Sequence, residues 1–272
     1  MKAEIVSFRR GAGWVVDGWR LFRAAPLAWM AIVVLYWLLM SLLGAVPAFG
    51  LPPQLGVAVA VVLVPAFSVG FMAAARSAAR GGAPAIGDLF AGFRGRGLQA
   101  QLALGAIYAL ALALVLWATT LADGGALARW MAGGERPDEQ MLQSEEFRAA
   151  LVLAALGYAP VMMLYWFAPV LAAWHGMPPA KALFFSFFAT LVNWRAFLGY
   201  GLAAALVAVV VPFAVMTALL LVFGGKLRGF LMGLALPLLL VMLPVLYASF
   251  FASYRDIFGA SAGAPQAGPA FR

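Results

Sequence analysis

Six stretches of this chain carry no Lys, Arg, Asp or Glu and are each long enough to cross a bilayer: residues 27–49, 54–75, 98–122, 149–174, 196–223 and 230–251. About 20 apolar residues span the roughly 30 Å of hydrocarbon as a helix. Inside lipid every backbone N–H and C=O must be paired within the segment or with a neighbour, which leaves only helices and closed barrels. The runs have that length, so they predict helices. The expected fold is all-α: a polytopic membrane helix bundle of six transmembrane helices, with two or three amphipathic helices on the cytoplasmic side. Residues 1–258 are expected to form a single membrane domain and 259–272 a flexible C-terminal tail.

Composition agrees with that frame. Of the 272 residues 65% are hydrophobic and 10% charged, with a mean hydropathy of +0.98. A soluble domain carries about 25% charged residues. Eighteen Lys and Arg against ten Asp and Glu give a net charge of +8, which in a soluble chain would raise nucleic-acid binding. The basic residues are scattered between apolar runs with no continuous stripe, so no nucleic-acid partner is expected. With no cysteine and one histidine, thiolate metal sites, disulfides and polyhistidine sites are excluded. No cofactor is expected.

The Lys and Arg positions set the orientation, because short cytoplasmic loops accumulate them. With the N-terminus cytoplasmic, that side holds thirteen and the far side five. Both termini are therefore expected inside. The first run is longer than the 7 to 15 residues of a signal h-region and is read as a retained span. Between runs three and four, Asp123, Gly124 and Gly125 predict a turn, and Ser144 before Glu145 and Glu146 predicts an N-cap with an acidic first turn.

Three segments on the cytoplasmic side are amphipathic. Before the first run, Phe8, Val15, Trp19 and Phe22 share a narrow arc at 100° per residue. That arc is expected to sink into the acyl boundary, with the helix starting near Gly13 because Gly11 and Gly13 interrupt its register. After the second run, Pro84 opens a helix whose Ile86, Leu89, Phe90 and Phe93 sit at i, i+3, i+4 and i+7. After the fourth, residues 180–195 are apolar nearly all round apart from a polar stripe of Ser186, Thr190 and Asn193. The order amphipathic helix, span, span suggests a repeat, and an offset of 71 places Asp17, Phe22, Arg23 and Leu27 on Asp88, Phe93, Arg94 and Leu98.

Small residues at i, i+4 spacing, Ala66, Gly70 and Ala74 and then Gly105, Ala109 and Ala113, predict close helix contacts. Prolines at 47, 65, 160, 169, 212, 237 and 244 interrupt the runs, each removing a backbone donor. Chemistry is hard to find. Ionisable residues inside spans mark ion paths and proton relays, and the six runs have none, so ion-coupled transport is disfavoured. His175 ends the fourth run without a convincing partner and reads as an interfacial anchor. Gly87 and Asp88 carry half of an intramembrane aspartyl-protease pattern, but Ala85 stands where glycine is needed and no second carboxylate lies in a run. An enzyme is not expected. The candidate contacts for anionic headgroups are Arg20, Arg23, Arg76, Arg80, Arg94 and Arg96.

The segments GWRLFRAAPLAW at 18–29, GFMAAARSAARG at 70–81, GDLFAGFR at 87–94 and GMPPAKALFFSF at 176–187 resemble a family of uncharacterised bacterial six-span inner-membrane proteins. Their layout is also similar to the membrane domain attached to some glycerophosphodiester phosphodiesterases. The resemblance implies a fold and a multi-pass place in the bacterial inner (cytoplasmic) membrane, with no catalytic residue to transfer. The resulting expectation is a non-enzymatic accessory or scaffold protein that engages the lipid bilayer, anionic phospholipids and a membrane protein partner or a second copy of itself. The alternative is an uncoupled transporter or facilitator of a neutral or lipid-like solute, its path lined by the 186, 190 and 193 stripe.

Overall fold

In the computed structural model, which describes residues 2–95, 97–223 and 228–262, all regular structure among the described residues is helical. Twelve α-helices follow in order: α1 Phe8–Ala24, α2 Pro26–Gly44, α3 Pro53–Ala79, α4 Gly97–Asp123, α5 Ala126–Met131 and α6 Glu139–Leu142. They continue as α7 Glu145–Tyr165, α8 Ala168–His175, α9 Pro179–Val192, α10 Trp194–Ala205, α11 Val211–Phe223 and α12 Arg228–Ala262. Among the described residues six stretches are long and apolar enough to cross a membrane: Pro26–Phe49, Pro53–Ala79, Gly97–Asp123, Glu145–His175, Trp194–Phe223 and Leu240–Gly259. The all-α polytopic bundle expected from the runs is what the chain forms.

Local chemistry explains several boundaries. Ser144 caps α7 by accepting from the Phe147 amide, with Glu145 and Glu146 in the first turn. Gly124 and Gly125 take φ of 60° and 90°, a region that side chains with a Cβ avoid. The Asp123 carboxylate accepts from Gly125 and Leu127 N–H at 2.8 and 2.7 Å, which closes the turn and starts α5. Span 4 is not one helix. It breaks after Tyr165 and resumes at Ala168, with Pro169 in the first turn of α8. Span 5 is also interrupted, by the π-helical residues Leu206–Val210 that separate α10 from α11; Pro212 lies just beyond.

The sixth span differs from expectation. Helix α12 covers the run 230–251 but continues to Ala262, and its apolar stretch Leu240–Gly259 contains Arg255 and Asp256. The expected run 230–251 is itself free of charge; the structure's stretch lies further along the helix, and the two charges it takes in are accommodated because partners on α1 meet them, as described below. Residues 263–272, most of the expected tail, lie outside the described residues.

By contacts the chain forms two compact units: Met1–Val33 with Ala74–Ala85 and Ala189–Arg272, and Val34–Ala73 with Ile86–Phe188. In the first, α1 packs against α10 and α12. Backbones meet there. A Cβ on Gly11 would run into the Ala196 carbonyl, one on Gly18 into the Val245 carbonyl and one on Gly199 into the Phe8 carbonyl. Trp14, Val15 and Phe22 fill the same interface, Trp14 edge-on to Phe197 with ring centroids 5.4 Å apart.

Two expectations for α1 change accordingly. The helix starts at Phe8, with the Ser7 side chain capping it, because Gly11 is the residue that lets Ala196 approach; the contact offsets the roughly 1 kcal/mol of helix propensity a glycine forfeits. The apolar arc also splits. Val15 and Phe22 are buried in protein, while Phe8 and Trp19 remain 44% and 41% exposed.

In the second unit, the 3-10 helix Ile86–Phe93 lies on α3 by a reciprocal pair of glycines. Gly70 leaves room for the Leu89 carbonyl, and Gly92 for that of Ala66. Phe67, Phe90, Phe93 and Tyr36 close around the contact in edge-on and tilted pairs 4.8 to 6.5 Å apart. Leu89 is fully buried, while Ile86 of the expected apolar face is 55% exposed. Gly105 of α4 sits against the Val62 backbone of α3, so the small-residue spacing marks real approaches on spans two and three. Between spans three and four, Leu127 and Phe147 form a small apolar cluster with Ala126 and Ala150.

Candidate functional site

On α1 the sequence places charge and apolar residues in three sectors, and the fold uses each differently. The sector of Gly11, Trp14, Val15, Gly18 and Phe22 is buried. Next to it, Arg10 and Asp17 meet the end of α12. Arg10 donates from Nε to Asp256 at 2.5 Å and from its terminal nitrogen to Asp17 at 2.6 Å. Trp14 Nε1 donates to the same Asp256 oxygen at 2.8 Å, and Arg255 reaches Asp17 at 3.1 Å. Asp17 and Asp256 are only 12% and 16% exposed, and carboxylates so sheltered require paired cations or donors. The Asp256 hydrogen bond is the main influence raising the Arg10 pKa above its ordinary value, helped by Asp17 and opposed by burial.

The third sector is open. At 100° per residue Phe8, Trp19, Arg23, Val16, Arg9 and Arg20 fall within an arc of about 120°. All six are exposed, Val16 to 50%. No acid lies in that arc. Arg20 leans to Asp17 at 3.2 Å, while Arg9 and Arg23 project with no ion pair among the described residues. Gly18 rests on Val245 and Ser249, residues of the apolar stretch of span 6, which sets this part of α1 alongside membrane-level helix.

The other expected headgroup residues are dispersed. Arg76 is half-buried on the last turn of α3 and Arg80 exposed just beyond its end, both in the first unit. Arg94 is exposed just after the 3-10 helix of the second unit, and Arg96 lies outside the described residues.

The polar stripe is buried, and its bonds go largely to backbone. Ser186 accepts from Phe167 N–H at 2.9 Å and donates to the Met163 carbonyl at 2.8 Å. Asn193 accepts from Val6 N–H at 2.7 Å and donates to Glu4 and Ala189 carbonyls at 3.0 and 2.9 Å. Thr190 is 4% exposed. Asn193 thereby holds the extended residues before α1, whose Glu4 N–H also reaches the Ile257 carbonyl at 2.9 Å. Among the described residues, no group of three or more His, Cys, Asp or Glu is placed to hold a metal ion.

Sequence reading missed Asp17 and Asp256. Acidic residues count for little in topology, and the only available signal was two carboxylates beside apolar runs, where an unpaired charge is costly.

Six stretches of helix long and apolar enough to cross a membrane, among the described residues, define a multi-pass membrane protein. The chain is 41% identical over 202 residues to a probable inner membrane protein of Burkholderia thailandensis, covering 72% of this chain and 73% of that protein. It belongs to that protein's family of bacterial inner membrane proteins. No family model matches the chain, and no solved structure does.

Proposed function

We propose that this protein is a non-enzymatic accessory or scaffold of the inner membrane that engages anionic phospholipid and a membrane partner through its basic interfacial surface. The observation that carries this reading is the open sector of α1, where three arginines and three apolar residues share one exposed arc without an acid. Apolar side chains favour the acyl boundary, and each basic residue near an anionic surface contributes about 1 kcal/mol.

The test uses the full chain in nanodiscs of phosphatidylcholine with and without phosphatidylglycerol. Native mass spectrometry should find retained phosphatidylglycerol in the wild type and markedly less in Arg9→Glu with Arg23→Glu, at unchanged thermal stability. Equal retention in both proteins would remove the support for the reading. A second reading, a facilitator of a neutral or lipid-like solute, is favoured by the polar break in span 4. Proteoliposomes that pass glycerol or a fluorescent lipid no faster than empty vesicles would count against it.

A further inference from the structure

The break in span 4 is braced from two neighbouring helices. From α4, Gln101 Nε2 donates to the Pro169 carbonyl at 3.0 Å, and the Leu104 carbonyl accepts from Tyr165 OH at 2.8 Å. From α9, Ser186 takes the Phe167 amide and gives its proton to Met163. Residues on both sides of the break are thereby tied to fixed helices. Proline chemistry leaves a gap in this scheme, since Pro169 has no N–H for the carbonyl four residues back, that of Tyr165.

Gln101 supplies the second, independent anomaly. It is fully buried. Its bond to Pro169 fixes which end of the amide is which, because the swapped amide would set oxygen against oxygen. The Oε1 atom that remains is buried with no hydrogen-bond partner. Buried polar side-chain atoms are overwhelmingly paired, and an exception calls for a specific explanation such as a bound water or ion.

We propose that the break in span 4 seats a small neutral hydroxyl group, donating to Gln101 Oε1 beside the first turn of α8. The lining chooses the chemistry. Oε1 requires a donor, which excludes a carboxylate or phosphate oxygen. The N-terminal end of α8 carries partial positive charge, which disfavours an ammonium or guanidinium at the same place. The groups that brace the break, Gln101, Ser186, Tyr165 and backbone, are all neutral and offer an ion no counter-charge. A hydroxyl satisfies both demands, its proton on Oε1 and its oxygen toward the helix end. Water and a polyol hydroxyl share that chemistry. The site goes beyond the lipid-engaging reading and does not depend on it.

The experiment is a lipidic-phase crystal structure of the full chain together with glycerol titrations of its melting temperature, for the wild type and Gln101→Met. The expected result is density within hydrogen-bond distance of Gln101 Oε1. An isolated oxygen with no saturable glycerol effect assigns water. Extended density, with a saturable rise in melting temperature whose midpoint moves at least tenfold in Gln101→Met, assigns a polyol. Should Gln101→Met fail to fold, the wild-type density decides alone. Absence of density at Oε1, or pairing of Oε1 with a donor of the protein itself, overturns the proposal.

Discussion

Each compact unit holds an amphipathic helix, and the two are fastened by one shared device and one that differs. In the first unit α1 meets Ala196 and Val245 through Gly11 and Gly18, and in the second the Ile86–Phe93 helix meets Ala66 through Gly92 while Gly70 admits Leu89. Backbone-to-backbone approach is common to both. The 71-residue offset even places Gly18 on Leu89, each one of the two points at which its helix meets a span through a glycine. The lateral fastening is where they part. The first contact is closed by Arg10, Asp17, Arg255 and Asp256, the second by the rings of Phe67, Phe90 and Phe93. Close approach without a Cβ gives dispersion and positional precision. What surrounds it can then be ionic or aromatic, provided that every buried charge has a partner.

The largest effect should come from the shared device. Gly11→Leu forces a side chain into the Ala196 carbonyl and should cost more than about 3 kcal/mol in denaturant unfolding from mild detergent; Gly92→Leu should do the same in the other unit. If Gly13→Leu, which meets only the flexible end of Arg10, proved as damaging, the contact argument would fail. Next, Phe67→Ala opens the aromatic closure of the second unit and should cost about 3 kcal/mol. Its effect should be insensitive to salt.

In the first unit Asp256→Asn leaves Arg10 half-paired and weakens the Trp14 bond, at about 2 kcal/mol after allowance for the partial exposure of Arg10. A melting temperature unchanged in that variant would show the ionic closure to be decorative. Ser186→Ala removes two bonds at the span 4 break. Hydrogen bonds between membrane helices average well under their expected worth, so about 1 kcal/mol is anticipated, read as a small loss of melting temperature. The smallest change is Gly13→Ala. The added Cβ would stand 3.3 Å from the Arg10 terminal nitrogen, the end of a flexible side chain that can give by a few tenths of an ångström, so the gain in helix propensity should stabilise by about 0.5 kcal/mol; a clear destabilisation would mean that the Arg10 ion pairs hold that side chain too firmly to yield.

The spans were legible because each run satisfies the hydrocarbon requirement on its own. The Ser144 cap and the turn at Asp123, Gly124 and Gly125 were legible for the same reason, since their partners lie within four residues. The α1 surface was read only in part. Its helical wheel counted Gly11 and Gly18 as blanks, although they are the positions of closest approach, and so rotated the buried face toward Phe8 and Trp19. The Arg10 pairing with Asp256 crosses 246 positions, which no local pattern encodes. The run 149–174 read as one continuous span; Pro169 marked the place of its break, but the side chains that brace the break, Gln101 and Ser186, come from other helices.

The amino-acid sequence by itself determined that this chain lives in a membrane, how many times it can cross, and which ends turn or cap. Those outcomes follow from the cost of exposing backbone and charge to hydrocarbon, a test applied to each run of about 20 residues separately. Only the tertiary structure decided which glycines face a backbone, which carboxylates lie sheltered beside an arginine, and which face of α1 stays open. Between helices in lipid there is little hydrophobic drive to sort partners, so association is decided by shape and by the pairing of polar groups. Both depend on residues brought together from distant parts of the chain.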